Sequence, residues 1–133
     1  MTRRIETVIL DCAGLSAWIA QDRKVAAILQ IFSEMESDLV ISANTIIEVS
    51  HAGVNIPRLN WLLSRIKVEP VTKETATTSA QLLKKANLHG HRYAIDATVV
   101  EAALRQPRPV AMLTSDINDM SRLCGDQVHL IAV

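Results

Sequence analysis

Short, wholly apolar segments alternate with stretches of helical periodicity along this chain, and that alternation constrains the fold most. Thr7 to Leu10 (TVIL) is β-branched, continuous and stopped by Asp11, the pattern of a buried strand. Leu15, Trp18 and Ile19 mark a short helical turn, and Val25, Ile28, Leu29 and Phe32 follow the i, i+3, i+4, i+7 rule over a helix from about Asp22 to Met35. Leu39-Val40-Ile41 is a second strand, after which Ser42 is placed to cap a helix holding Ile46, Ile47 and Val49. Pro57 suits a first helical position, with Leu59, Leu62, Leu63 and Ile66 on the stripe that follows. Val68 to Val71 is a third strand, Pro70 marking its end or a sheet edge, and Thr72 can cap a helix with the stripe Ala76, Ala80 and Leu83. Asn87 to Tyr93 is read as a polar loop around Gly90, followed by a helix from near Asp96 to about Arg105. Val110 to Leu113, a short helix Ile117 to Leu123, and a strand Val128 to Val133 complete the order.

Strands this apolar cannot face water on either side. The expectation is a three-layer α/β/α sandwich with a mainly parallel central sheet. At 133 residues, without repeat or linker, it should form a single domain over 1–133. Aromatics are only 3%, so the core must be built from Val, Ile, Leu and Ala. No apolar run approaches the roughly 20 residues of a membrane span. The opening MTRRIETVILDC has the arginines of a secretory leader but not its apolar region, because Glu6 precedes the run and Asp11 ends it. A cytoplasmic protein is expected. Cys12 and Cys124 cannot make a disulfide framework and read as small buried hydrophobes.

In parallel sheets ligands sit beyond the carboxyl ends of the strands, so the residues that follow strands matter most. Asp11 follows TVIL and Asp116 follows VAMLTS. Glu48 lies almost two turns into the helix after the second strand, and Asp96 stands at the entry of AIDATVVEAAL. Each has a plainer reading. Asp11 can be a strand-end turn residue, Asp96 an N-cap with Ile95 and Val100 as a staple, Asp116 a cap with Asp119 in the first turn, and Glu48 a partly exposed helix acid. Together they point further. Four converging carboxylates repel one another unless a divalent cation neutralises them, and hard oxygen ligands at an open site suit Mg2+ or Mn2+. Such an ion lowers the pKa of a bound water and stabilises phosphoryl charge, which is the chemistry of phosphodiester hydrolysis.

Leu10-Asp11 near the start, Glu48 in the helix after strand two, Ala94-Ile95-Asp96-Ala97 and the TSDxxD stretch from Thr114 to Asp119 together resemble the PIN domain over nearly the whole chain. The length resembles that of VapC-type toxins of toxin–antitoxin systems. The resemblance implies a Mg2+-dependent ribonuclease whose metal site is Asp11, Glu48, Asp96 and Asp116, with Asp119 as a further nearby acid. It also implies a homodimer and a cognate antitoxin whose C-terminal segment enters the active-site groove. One departure stands out: the family usually has Ser or Asn two places after the first acid, to support it by hydrogen bonding, and here that residue is Ala13.

Net charge weighs on the same question. Lys+Arg and Asp+Glu number 14 each, so no global basic field holds RNA, and contact must be local or cation-assisted. Arg92 is the candidate for touching RNA phosphate beside Asp96. Glu101 is about 140° around the helix from Asp96 and is better placed to pair with Arg105. His89 and His91 lack a further soft ligand and read as solvated, as do Lys84 and Lys85. Trp18 and Trp61 read as core or dimer interface, and Trp18, Leu62 and Leu63 exceed what so small a core requires. The alternative function is a PIN-like module with weakened catalysis that binds RNA or a protein partner, for which Ala13 and zero net charge speak. A phosphoryl-receiver domain is set aside, since Asp11 has no adjacent acid and neither of the last two strands is followed by Lys.

Overall fold

The computed structural model describes residues 4–133. Met1, Thr2 and Arg3, the start of the segment weighed as a leader, lie outside the described residues. In chain order the elements are β1 (Thr7–Leu10), α1 (Cys12–Ile19), α2 (Arg23–Glu34), β2 (Asp38–Ser42), α3 (Ala43–Val49), α4 (Ile56–Leu63), β3 (Lys67–Glu69), α5 (Lys73–Ala86), α6 (Gly90–Leu104), β4 (Val110–Thr114), α7 (Ile117–Cys124) and β5 (His129–Ala132). The five strands form one sheet in the order β3-β2-β1-β4-β5, and every pairing is parallel. This is the expected three-layer sandwich. No helix among the described residues is long and apolar enough to cross a membrane.

Alternation along the strands divides the core in two. Val8, Leu10, Ile41, Ala111 and Leu113 face one side and pack with Leu15, Val25, Leu29, Phe32, Leu59 and Leu62 of α1, α2 and α4. Ile9, Val40, Val110 and Met112 face the other and pack with Leu83, Ala97, Val100, Met120 and Leu123 of α5, α6 and α7. Period-two side-chain placement is thereby satisfied on both faces, which is why the strands carry no polar alternation. Burying one such Leu or Ile is worth roughly 1.5–3 kcal/mol, so the sheet strands anchor the domain.

Local signals set most boundaries. The Asp22 carboxylate accepts from Val25 N at 2.9 Å and starts α2. Ser42 caps α3, and Thr72 with Thr75 forms a capping box on α5. Pro57 falls in the first turn of α4, which Asn55 caps. Pro70 follows β3 at once, and β3 is an edge strand.

One element departs from expectation. Helix α6 begins at Gly90 rather than near Asp96, with His89 as N-cap accepting from His91 N at 3.3 Å. Of the stretch read as a polar loop, Asn87 to His89 does connect the two helices, and Gly90 to Tyr93 is the solvent-facing first turn of α6. Gly90 is harmless at a first helical position, and His91 and Arg92 are exposed there. Asp96 is therefore an interior helix residue, and its N-cap reading is overturned.

Candidate functional site

Two of the four acids are placed by the sheet. Strands β1 and β4 are neighbours in register, Leu10 opposite Leu113, so Asp11 and Asp116 leave the sheet at the same edge. Asp11 N donates to Leu113 O at 3.3 Å, and the Asp11 side chain is only 5% exposed. Its Oδ1 accepts the Gly14 N–H at 2.9 Å as the N-cap of α1. The turn reading of Asp11 is thus correct for one oxygen. The Thr114 hydroxyl and the Ala13 N–H also favour its charged form, so Ala13 supplies backbone support where a side chain was expected. Asp116 sits at the N-cap position of α7, yet its carboxylate makes no capping bond and is exposed. The capping reading does not account for it.

The other two acids are placed by helices. Glu48 lies in the last turn of α3 with an exposed side chain, and Asp96 lies nearly two turns into α6, half-buried. The four feel one another. Burial raises the Asp11 carboxyl above its ordinary value, with Asp116 adding to the effect. Glu48 is raised by desolvation and by the charges of Asp11 and Asp116. Asp96 is pushed up to about 6 by burial and then by Asp116, Glu48, Asp11 and Asp119, in that order. Among the described residues no Lys, Arg or His forms an ion pair with any of these acids.

Uncompensated hard carboxylates at an edge open to solvent are the donor chemistry of a divalent-cation site. They do not form a closed cage. Among the described residues no three His, Cys, Asp or Glu side chains are gathered tightly enough to hold a metal ion as they stand. The donor set fits Mg2+ or Mn2+ in the manner such ions usually adopt, with one or two carboxylates and several waters. A recess of about 310 Å3 lies against Ser115, Asp116, Asn118 and Asp119. A larger hollow of about 380 Å3, lined by Ser16, Ile19, Val49, His51 and Asn55, holds none of the four acids.

The remaining candidates sort clearly. Arg92 is exposed one helical turn before Asp96 on α6, with its guanidinium over the Tyr93 ring at 5.2 Å instead of paired to Asp96. Glu101 bonds Arg105 Nε at 2.6 Å, as its spacing predicts, and Arg105 also pairs with buried Glu69. His89 and His91 are solvated, as are Lys84 and Lys85. Cys12 and Cys124 are free thiols raised by burial. Of the two readings of Trp61, core is overturned, since it is 47% exposed between the guanidiniums of Arg58 at 5.4 Å and Arg65 at 4.5 Å, as an interface residue would be in a single chain. The residues named as apolar surplus are corrected too, because Leu62 is fully buried, and Trp18 and Leu63 pack on the same core. Helical periodicity marks an apolar face without saying how much of it the sheet covers.

Three features escaped the sequence. Buried Thr114 accepts the Asp116 N–H at 2.9 Å and touches Asp11. Gly14 lets α1 approach β4, since a Cβ there would stand 3.0 Å from Leu113 O. Asn44 Nδ2 donates to Thr98 Oγ1 at 3.3 Å, joining α3 to α6. Only Gly14 left a trace, a glycine where a helix's first turn would favour almost anything else.

The sequence matches no protein-family model, and it matches none of the curated proteins. Solved structures do resemble it. A chain of the VapBC2 complex from Rickettsia felis, bound to a DNA fragment from its promoter, superposes with a TM-score of 0.68 at 14% identity, over 96% of this chain and 98% of that one. A chain of a toxin–antitoxin complex from Klebsiella pneumoniae gives 0.71 at 18% identity, over 92% and 95%. A chain of FitAcB from Neisseria gonorrhoeae gives 0.60 at 19%, over 94% and 96%. At these identities the likeness establishes the fold, a PIN-like three-layer sandwich with its five strands all parallel.

Proposed function

We propose that this chain, sharing its fold with chains of toxin–antitoxin complexes, is a metal-dependent endoribonuclease and the toxin of a type II toxin–antitoxin pair. It would act on RNA in the cytoplasm under the control of a cognate antitoxin. One observation carries the reading. Asp96 is half-buried and pushed up to about 6 by burial and four neighbouring carboxylates, with no basic side chain paired to it. A structural acid would have a partner; an acid kept in an unrelieved negative field suits a cation.

Asp11, Glu48, Asp96 and Asp116 would hold Mg2+ or Mn2+, which when bound supplies an activated water and stabilises phosphoryl charge. The chain's own residues do the rest. The Gly14 N–H orients the Asp11 carboxylate, and with Thr114 it offsets part of the burial that raises its pKa. Glu48 and Asp116 face solvent, where substrate can reach them. Arg92 offers a local positive charge to RNA phosphate, which a chain of zero net charge requires. Support for a weakened catalyst lessens, because the Gly14 N–H holds the Asp11 carboxylate despite Ala13. Exposed Ile31, Ile47, Ile56 and Trp61 give the helices of the first half an apolar surface for a second copy or an antitoxin.

The test is cleavage of a single-stranded RNA by the purified protein. Cleavage is expected with Mg2+ or Mn2+, abolished by chelator and restored by either ion. Cleavage that persists in excess chelator, or none with either ion, overturns the reading.

A further inference from the structure

Asp11 and Asp116 are held by paired strands, but Glu48 and Asp96 are not. They ride on α3 and α6, and their separation depends on how those helices are fastened. The side-chain hydrogen bond between the two helices runs from Asn44 Nδ2 to Thr98 Oγ1. The Thr98 hydroxyl spends its own hydrogen on Ile95 O at 2.6 Å, which fixes the oxygen as an acceptor for Asn44. Ile95 is the residue before Asp96, and Asn44 lies one turn before Glu48 on the same face of α3. Thr98 is buried and Asn44 only partly exposed, so water competes weakly for the bond. The neighbouring hydroxyl of Thr45 is fully buried without a partner, so the inward face of α3 offers no alternative polar fastening there.

We infer that Asn44 and Thr98 are a positioning pair that sets the spacing between Glu48 and Asp96, and through it the affinity of the acid site for a divalent cation. Like charges on the two helices repel in the metal-free protein. The Asn44–Thr98 bond opposes that repulsion and keeps the two acids close enough to share an ion. The inference rests on the proposed role of the four acids.

Mn2+ binding to the whole protein, measured by isothermal titration calorimetry, tests it without relying on activity. Asn44→Ala and Thr98→Val are each expected to weaken Mn2+ binding by about tenfold, the low end of what losing a supporting hydrogen bond costs a metal site. The double variant should be no weaker than either single one, and Thr98→Ser, which keeps the hydroxyl, should bind like the parent. A folded Asn44→Ala protein with parental affinity overturns the positioning pair and leaves the metal reading intact, as do losses that simply add. A parent that binds no Mn2+ overturns the metal reading and this inference with it. Should Thr98→Val fail to fold, Asn44→Ala at its partly exposed position decides alone, with Thr98→Ser as the control.

Discussion

Thr114 stands between Asp116 and Asp11: its oxygen accepts the Asp116 N–H at 2.9 Å, and its hydroxyl favours the charged form of the Asp11 carboxylate. A single buried side chain thereby sets both acids that leave the sheet edge. Thr114→Val keeps the shape and removes both the bond to Asp116 and the hydroxyl that favours charge on Asp11. We expect a loss of about 1–3 kcal/mol in stability from the unsatisfied groups, read by chemical denaturation. Cleavage should fall by roughly 10- to 100-fold, the usual effect of removing a supporting hydrogen bond at a metal site. An unchanged rate would remove Thr114 from the site.

Asp96 makes stability depend on pH in a direction opposite to most acids. Its carboxyl is pushed from 3.8 up to about 6 in the folded chain, so the folded state holds its proton longer than the unfolded state does. Stability is then greatest below 3.8 and declines as pH rises through about 6. Asp96→Asn escapes that decline. Without metal at pH 7 to 8, its thermal midpoint should equal or exceed the parent's, and the gap should close in acid. The same variant should lose most RNA cleavage. A variant melting well below the parent at neutral pH would mean that the charge at 96 stabilises the fold.

Protons and cation should compete at these groups. Because Asp11, Glu48 and Asp96 are all raised, Mn2+ affinity should weaken as pH falls through about 6 and level off on the alkaline side. Calorimetric titrations at several pH values read this directly, and a flat profile would argue against carboxylate ligands.

Gly14 has no room for a side chain. A methyl group would meet Leu113 O at 3.0 Å and Leu113 Cβ at 3.2 Å, both fixed by the central sheet. Gly14→Ala should therefore lift the first turn of α1 from β4, at a cost of roughly 1–3 kcal/mol, and disturb the N–H that holds Asp11. Denaturation and Mn2+ titration on the same sample should both register it. A helix that simply gained stability from the better helix former would contradict the close approach.

Arg105 stands between two buried acids, Glu69 and Glu101, with Lys67 also on Glu69 at 3.0 Å. Burial works against charge on Glu69, but Lys67 and Arg105 outweigh it and hold its carboxyl below 4.5. That stability is present above 4.5 and is lost as pH falls below it. Arg105→Leu should cost about 3–5 kcal/mol at neutral pH by leaving buried charge unpaired, with a smaller deficit in acid. Equal deficits at pH 4 and pH 7 would mean that the arginine acts by packing alone.

What could be read from the chain depended on range. Thr7–Leu10 is a strand by its own composition, and Asp22, Ser42 and Thr72 cap helices through bonds spanning two or three residues. The start of α6 was hidden because its first turns face water, where helix and polar loop have the same composition. The roles of Thr114 and Asn44 were hidden for a different reason. Asn44 and Thr98 are 54 residues apart, and the parallel strand order, not any local pattern, brings them together.

The division of each strand between two cores turns β1 into a counting device. Val8 and Leu10 belong to one core and Ile9 to the other, and Asp11 is the next step along. Inserting or deleting one residue before Asp11 would exchange the two faces and turn the carboxylate away from Asp116. The helices tolerate rewording, but the number of steps from Thr7 to Asp11 does not. That interval should be the most insertion-intolerant stretch in a library of single-codon insertions and deletions, ahead of any loop and any helix.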